Sequence, residues 1–197
     1  MTSLQMLRPS LDDLPSLAAA LASTLTGSAD YGFRTYRAGD EAAWAAIMNT
    51  GEMERWDAAR TREKLTGCPR PQFDPEGLFF VTYGAAEQPV GSACAWLLRP
   101  DETETGILHM VCVLPEHRGR GLARPLCLAV LHRFRERGFR KVRLNTGDWR
   151  LGAIKTYLHL GFQPLITKPE QPPAWDDVAR RLVWPDPLTP IIASATA

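Results

Sequence analysis

Apolar and polar residues recur with two different periods along the chain, one typical of helices and one typical of strands. The helical period predicts helices over residues 17–25, 41–48, 55–65, 122–137, 149–160 and 175–182. Apolar runs rich in β-branched and aromatic residues predict strands over residues 33–36, 78–83, 90–97, 107–113, 141–146 and 164–167. Glycines and prolines punctuate most of these segments, so the chain reads as a series of short elements joined by turns.

The order of these elements predicts the fold class. The strands over 78–83 and 90–97 are separated by GAAEQP, which is the pattern of an antiparallel hairpin. A strand, a helix, a strand and a helix follow. We therefore expect an α/β fold with a mixed, mostly antiparallel sheet and helices on both faces.

Three segments are expected along the chain. Residues 1–30 are interpreted as an N-terminal helical arm, with Asp12 or Ser16 as the helix cap. Residues 31–168 form the main domain. Residues 169–197, which are rich in proline, are expected to pack on that domain as a C-terminal extension.

Composition and charge remove several function classes. The 197 residues carry 23 basic and 22 acidic side chains, so the chain lacks the basic excess of most proteins that bind nucleic acid or an anionic membrane. No apolar run approaches the ~18–20 residues that span a bilayer. Asp12 and Asp13 precede the apolar stretch LPSLAAALASTLT, which argues against a signal peptide. We expect a cytoplasmic protein that binds neither nucleic acid nor a membrane.

The four cysteines do not form a recognisable metal or redox motif. Cys68, Cys94, Cys112 and Cys127 are widely spaced, and no CxxC or HxxxH pair accompanies them. We expect free thiols and no metal.

The segment ILHMVCVLPEHRGRGLA, residues 107–123, carries the strongest chemical signal. A buried strand stops at a proline and is followed by Gly119 and Gly121 at the start of a helix. Such a turn directs several backbone N–H groups, and the positive end of the helix, toward one point. With the arginines around it, this loop favours a pyrophosphate or another polyanion. The GxxxxGK[ST] and GxGxxG motifs of nucleotide sites are absent, and taken alone the loop is also compatible with a basic surface turn.

The loop and the segment after it resemble the GNAT superfamily of acyltransferases. Arg118, Gly121 and Ala123 match the signature of Arg or Gln, two residues, Gly, one residue, then Gly or Ala. Val113 and Pro115 stand where the family has a strand-ending Val and a Pro. The family's later motif is matched by Ala153, Tyr157, Gly161 and Phe162. The resemblance is strongest over residues 106–164 and extends plausibly back to Phe33.

The resemblance implies a GNAT sheet splayed between its fourth and fifth predicted strands, which part after residue 113 to admit coenzyme A. The amides of the glycine loop would hold the pyrophosphate, and Val111 and Val113 would pair with the pantetheine arm. A strand amide near them would stabilise the oxyanion of the reaction. The cofactor-binding residues implied are Val111, Cys112, Val113, Arg118, Gly119, Arg120, Gly121, Leu122, Ala123, Arg124, Asn145, Arg150, Ala153 and Tyr157.

Tyr157 and His109 are the candidate catalytic residues. In the family, a Tyr at the position of Tyr157 protonates the departing thiolate, although a packing role alone is the alternative. Many members carry a Glu where this chain has Ile107. His109 is the substitute as general base, because it alternates with Val111 and Val113. A strand bulge would reverse that facing, and a hydrogen-bonded core histidine is the alternative; Glu104, Glu54 and Asp148 follow as candidates.

Several further residues near the predicted site have a candidate role or differ from the family's usual residue. Arg150 replaces the family's usual Asn and either contacts coenzyme A or is solvated, while Asn145 is able to substitute for it. Trp149 is a candidate for the wall of the acceptor pocket. Cys112 alternates away from Val111 and Val113, which argues against a covalent cysteine intermediate.

The sequence therefore predicts an acyl-CoA-dependent N-acyltransferase that moves an acetyl group from acetyl-CoA to a primary amine by direct attack in a ternary complex. The alternative is a non-catalytic acyl-CoA-binding regulatory module of the same fold. The partners expected are acetyl-CoA and an amine acceptor, for a monomer or a homodimer.

Overall fold

The computed structural model describes residues 2–25, 30–51, 55–66, 73–99 and 101–193. The strands are β1 (Ser3–Arg8), β2 (Tyr31–Thr35), β3 (Phe73–Tyr83), β4 (Gln88–Trp96), β5 (Thr105–Val113), β6 (Lys141–Gly147), β7 (Gln163–Ile166) and β8 (Ile191–Ile192). The helices are α1 (Leu17–Leu25), α2 (Glu41–Asn49), α3 (Ala58–Thr66), α4 (Ala123–Glu136), α5 (Leu151–His159) and α6 (Gln171–Leu182), and a 3₁₀ turn covers Pro115–His117. Most of the predicted elements are present within about two residues of their expected bounds.

All eight strands belong to one sheet, in the order β2-β3-β4-β5-β6-β1-β7-β8. The β5–β6 and β7–β8 pairs are parallel, and the other neighbouring pairs are antiparallel. The prediction of a mixed, mostly antiparallel sheet is confirmed, and the predicted hairpin is the β3–β4 pair.

The strand β1 is not predicted by the sequence pattern, and it lies inside the sheet. All six of its residues pair with β6, and Gln5–Leu7 pair with β7 on the other side. Leu4 and Met6 have no exposed surface. The predicted helix α1 follows, and the Ser16 hydroxyl accepts a hydrogen bond from the Ala19 N–H at 3.3 Å, as a helix cap does. The N-terminal helical arm thus begins with a strand of the main sheet.

Helices cover both faces of the sheet and define two apolar clusters. On one face, α2 and α3 bury Trp44, Ile47 and Met48 against β3, β4 and β5. On the other face, α4 packs against the same three strands and against α1. Gly106 allows the close approach of α4, because a Cβ at this position would lie 2.4 Å from the Phe134 ring. The strands β3, β4 and β5 therefore lie between the two clusters.

The start of α5 differs from the prediction. Asp148 is not its cap: the N-cap position is Arg150, and no side chain makes a capping hydrogen bond there. The Asp148 carboxylate instead accepts a hydrogen bond from the Thr2 N–H at 2.9 Å, which ties the N-terminal segment to the turn after β6. The cap prediction failed because the Asp148 carboxylate binds Thr2, 146 residues away in the sequence, and a local pattern does not encode such a contact.

Candidate functional site

A wedge-shaped gap separates β5 from β6. The two strands pair only at Thr105–Lys141, Gly106–Val142 and Ile107–Arg143. Beyond these residues β5 continues to Val113 along β4, while β6 continues to Gly147 along β1. The expected parting after residue 113 is wrong, because the strands separate directly after Ile107. The gap consequently runs along the whole second half of β5.

The glycine loop lies at the open end of the gap, between the end of β5 and the start of α4. Gly119 and Gly121 both have φ of +76°, a conformation that other residues rarely adopt. A Cβ at Gly119 would meet nothing within 4 Å, so the backbone conformation and not the space requires glycine. The N-cap position of α4, Leu122, makes no side-chain cap, so the helix start is accessible to an anion, although the Arg124 N–H already donates to the Gly121 carbonyl at 3.1 Å. Arg118, Arg120 and Arg124 are exposed around the loop.

The backbone of β5 presents hydrogen-bonding groups to the gap. The Leu114 N–H donates to the Val90 carbonyl at 2.9 Å, so Leu114 directs its backbone toward β4. Because neighbouring strand residues alternate, Val113 and Val111 direct their N–H and C=O groups to the opposite edge. Their side chains pack in the α4-side cluster. These are the groups to which the sequence assigns the pantetheine arm.

A bulge in β5 separates His109 from Val111. Ser92 pairs with Cys112 and Cys94 with His109, so β5 holds one more residue than β4 over this stretch, and Met110 has φ of +54°. The expectation that His109 shares a face with Val111 and Val113 is wrong for this reason. His109 instead stacks edge-on against Trp96, at 5.5 Å between ring centroids, on the α2–α3 side. Burial, and then the charge of Lys64, lower the pKa of His109, which favours a neutral ring.

Tyr157 lies on α5 and is almost completely buried, with 6% of its surface exposed. Its ring packs edge-on against Phe162, another residue of the motif. Burial raises the pKa of the Tyr157 phenol above its ordinary value, the thiols of Cys127 and Cys112 add to that rise, and the Arg150 charge opposes it. The raised pKa favours the protonated phenol, which is a hydrogen-bond donor.

Two of the predicted arginines contact the C-terminal end of α2, which the sequence did not assign to the site. Arg118 donates from Nε to the Val113 carbonyl at 2.9 Å, and its Nη2 lies 3.5 Å from the carbonyl and hydroxyl oxygens of Thr50. Arg150 donates to the Gly51 carbonyl at 2.6 Å. Carbonyls at a helix C-terminus are partly negative, which attracts both guanidinium groups. The sequence signal that could have pointed to Thr50 and Gly51 is a hydroxyl residue and a glycine directly after a predicted helix.

Cys112 belongs to the same junction. Its thiol donates to the Ile47 carbonyl at 3.3 Å and lies 3.2 Å from the Thr50 hydroxyl. The side chain thus faces α2, away from Val111 and Val113, as the alternation predicts. Cys94 and Cys127 are buried free thiols, and Cys68 lies outside the described residues.

The other predicted residues are distributed around the gap and the loop. Leu122 is buried in the α4-side cluster, and Ala153 packs against it from α5. Asn145 is exposed on β6, opposite Gln5 of β1. Trp149 is 41% exposed beneath Gly147 and stacks with the Arg150 guanidinium.

The remaining base candidates lie apart from the gap or outside the description. Glu104 precedes β5 at the narrow end and pairs with the Lys141 ammonium at 3.3 Å. The Asp148 carboxylate already accepts a hydrogen bond from the Thr2 N–H, and Glu54 lies outside the described residues. Among the described residues no cluster of three His, Cys, Asp or Glu side chains is arranged to hold a metal ion. The helices that the structure describes include none with the length and apolar character needed to cross a membrane.

The gap and the loop together fit a coenzyme A thioester. The exposed glycine loop supplies unpaired N–H groups and arginines for a pyrophosphate. In the described part of the chain, the gap-side edge of β5 has no partner strand beyond Ile107 and supplies N–H and C=O groups for an extended arm that carries amides, with the Val113 carbonyl already accepting from Arg118. The buried Tyr157 phenol lies on the helix that follows β6, the other wall of the gap.

Comparisons with known proteins agree with this geometry. Residues 41–162 match the model of the acetyltransferase (GNAT) family. The chain is 40% identical over 93 residues to a mycothiol acetyltransferase of Nocardia farcinica, covering 47% of this chain and 31% of that protein. It is 29% identical over 174 residues to the mycothiol acetyltransferase of Rhodococcus jostii, covering 83% of this chain and 53% of that protein. The chain thus spans about half or less of the length of these relatives.

Solved structures share the fold. A GCN5-related N-acetyltransferase from Sphaerobacter thermophilus superposes with a TM-score of 0.61 at 24% identity, covering 82% of this chain and 48% of that one. A Mycobacterium tuberculosis protein, Rv2747, solved in complex with CoA, gives a TM-score of 0.55 at 16% identity, covering 78% and 89%. The family model spans more than half of the chain and includes the gap, the loop and Tyr157. This chain therefore belongs to the GNAT acetyltransferase family.

Proposed function

We propose that this protein is an N-acetyltransferase that uses acetyl-CoA to acetylate a primary amine, by direct attack in a ternary complex. The observation that carries the proposal is the parting of β5 and β6 after Ile107 and Arg143, with the gap opening onto a glycine loop at a helix N-terminus. Members of this family use acetyl-CoA as the acyl donor, and the fit of the gap to that molecule supports the same use here.

The glycine loop and β5 bind and orient the donor. The N–H groups of Gly119, Arg120, Gly121 and Ala123 hold the pyrophosphate, with Arg118 and Arg124 as countercharges. The Val113 N–H and the Val111 carbonyl pair with the pantetheine arm as an added strand, which leaves the Val111 N–H for the thioester carbonyl. Acetyl-CoA supplies a thioester carbonyl that an amine attacks, so that a C–N bond forms and the C–S bond breaks.

Tyr157 supplies the proton that the leaving sulfur needs. Its burial favours the protonated phenol, and it lies on α5, the helix that directly follows the β6 wall of the gap. A phenol is a weaker acid than a thiol, but transfer to a forming thiolate in a dry site is a general-acid step of the ordinary kind. The phenolate then recovers its proton from solvent or from the base.

His109 receives the proton that the attacking amine loses. Its lowered pKa makes the neutral, proton-accepting ring the dominant form at pH 7. Three strand positions separate His109 from Cys112, roughly 10 Å along the strand. The transfer therefore runs through water and not by direct contact with the amine.

The acceptor approaches from the α2–α3 side. His109, Cys112 and the C-terminal end of α2 all face that side. Since the curated relatives compared above are named mycothiol acetyltransferases, the deacetylated form of mycothiol is the first acceptor to test, beside simple primary amines.

The test is calorimetric and thermal-shift titration with acetyl-CoA, CoA and longer acyl-CoA thioesters. A ligand at 100 times its Kd adds about 2.7 kcal/mol of apparent stability. Gly121→Asp places a carboxylate in the phosphate loop and is expected to abolish that shift. The matched control is Gly138→Asp, because Gly138 also has a positive φ of +83° with nothing within 4 Å, at the far end of α4. A 14-residue helix, about 21 Å, separates the two sites.

Three results are informative. Binding by the wild type and by Gly138→Asp but not by Gly121→Asp supports the donor site, and release of CoA with an amine then supports the transferase. Donor binding without turnover by any amine would favour the non-catalytic module. No binding of any CoA compound to folded wild type would refute the proposed function.

A further inference from the structure

Ser92 is a buried serine of β4 that the chemistry above does not use. It has no exposed surface, and it pairs with Cys112 beside the bulge of β5. Its hydroxyl donates a hydrogen bond to the Met110 carbonyl at 3.2 Å. Met110 is the residue whose φ of +54° creates the bulge. A side chain of one strand therefore holds the irregular residue of the next.

The Met110 carbonyl and the Val111 N–H belong to one peptide group. The peptide is planar, and no cis peptide is present among the described residues, so the two dipoles point in opposite directions. Ser92 lies on the β4 side of β5 and fixes the carbonyl toward that side. The Val111 N–H is consequently directed to the other edge, into the gap between β5 and β6.

We infer that Ser92 is a positioning residue that sets the direction of the Val111 N–H as the donor to the thioester carbonyl oxygen. The inference rests on the proposed function, since it assigns an atom to the reaction proposed above. A hydrogen bond to the carbonyl end of a peptide also polarises its N–H, which strengthens the donor where negative charge develops on oxygen. No contact between Ser92 and the substrate is needed.

The bulge needs such a support because it is irregular. A non-glycine residue at positive φ is strained and persists only where its surroundings fix it. Without the Ser92 hydroxyl the 110–111 peptide loses the support of its carbonyl, and its N–H no longer points steadily at one position. A displacement of about 1 Å at a reacting group costs on the order of 100-fold in rate.

The experiment compares Ser92→Ala with Ser92→Thr, which keeps the hydroxyl, and with Thr82→Val, which removes a buried hydroxyl from the neighbouring strand β3. The principal readout is the carbonyl stretching frequency of bound acetyl-CoA labelled with ¹³C at the thioester carbon. A donor to that oxygen lowers the frequency. We expect the lowering in the wild type to be lost in Ser92→Ala and retained in Ser92→Thr and Thr82→Val. The kcat of Ser92→Ala is expected to fall roughly 10- to 100-fold. The Kd for free CoA, which lacks the thioester carbonyl, is expected to stay that of the wild type.

A second readout is taken on the free protein. The Val111 amide, observed by ¹⁵N NMR, is expected to change its exchange rate and chemical shift in Ser92→Ala more than in Thr82→Val. If Ser92→Ala does not fold, Ser92→Cys keeps the volume with a weak donor and is expected to be intermediate in both readouts.

The inference is overturned if folded Ser92→Ala retains the wild-type carbonyl frequency, or if the Val111 signal is unchanged. A wild type that binds no acetyl-CoA refutes the proposed function instead, and the Val111 signal still shows whether Ser92 orients the peptide. A fall in kcat with an equal rise in the Kd for CoA would assign Ser92 a merely structural role and would also refute the inference.

Discussion

Truncation of Leu4 tests whether the N-terminal segment is an integral strand or a loose arm. Leu4 is fully buried, and β1 pairs with β6 and β7 on its two edges. Replacement of a buried Leu by Ala costs about 2–5 kcal/mol, from lost transfer free energy and from the cavity left behind. Against a typical stability of about 5–15 kcal/mol, Leu4→Ala removes a large part of the total. In a chain of this length, the expected fall in Tm is roughly 4–20 °C.

The assay is urea denaturation followed by tryptophan fluorescence, with the m-value checked for each variant. Gln5→Ala is the matched control, because Gln5 lies between Leu4 and Met6 and its side chain is only half-buried. It is expected to cost less than about 1 kcal/mol. Gln5→Pro removes an N–H and adds a ring in a strand flanked on both sides, so it is expected to cost about 3 kcal/mol or more. If Leu4→Ala and Gln5→Pro both unfold at the wild-type midpoint, β1 is not a central strand and the reasoning fails.

Two predictions concern the reaction. Tyr157→Phe is expected to lower kcat about 100-fold or more with little change in the Kd for acetyl-CoA, because the phenol acts only on the leaving sulfur. Thiol release at saturating donor measures this, and a kcat within about threefold of wild type would exclude Tyr157 as the acid. Burial lowers the pKa of His109 below its ordinary value of 6.5. Because the base must be neutral to accept a proton, kcat/KM is expected to rise with pH through an inflection below 6.5. His109→Gln is expected to lose that inflection, and a pH–rate profile that keeps it would assign the base elsewhere.

Local sequence signals account for the elements around the site but not for how they meet. The glycine loop and the stop of α4 at Gly138, with φ of +83°, follow from residue types whose backbone preferences are local. The strand β1 gives no comparable signal, because SLQMLR is short and its partners lie 134 to 160 residues away. The sequence gives no local signal for the bulge at Met110 either, since methionine has no preference for positive φ. The bulge is accompanied by a hydrogen bond from the Ser92 hydroxyl, 18 residues away in the sequence.

The contacts of the arginines show the same limit. Arg118 and Arg150 were assigned to the site by motif position, and the structure places both at the end of α2. The attraction arises from helix-end carbonyls that a sequence pattern does not place in space. A motif can therefore identify which cations belong to a cleft, while their partners depend on the tertiary fold.

The gap is stable because the two strands that line it, β5 and β6, each have a hydrogen-bonded partner strand on the opposite edge. A strand that leaves its neighbour exposes a row of backbone N–H and C=O groups, which costs free energy unless another partner takes the opposite edge. Along its second half β5 has β4, and β6 has β1 from Val142 to Gly147. Without β1, residues 144–147 of β6 would have no strand on either side, and closing onto β5 would be their cheapest alternative. The N-terminal strand that the sequence pattern fails to predict is thus a physical condition for the cleft that the motifs do predict.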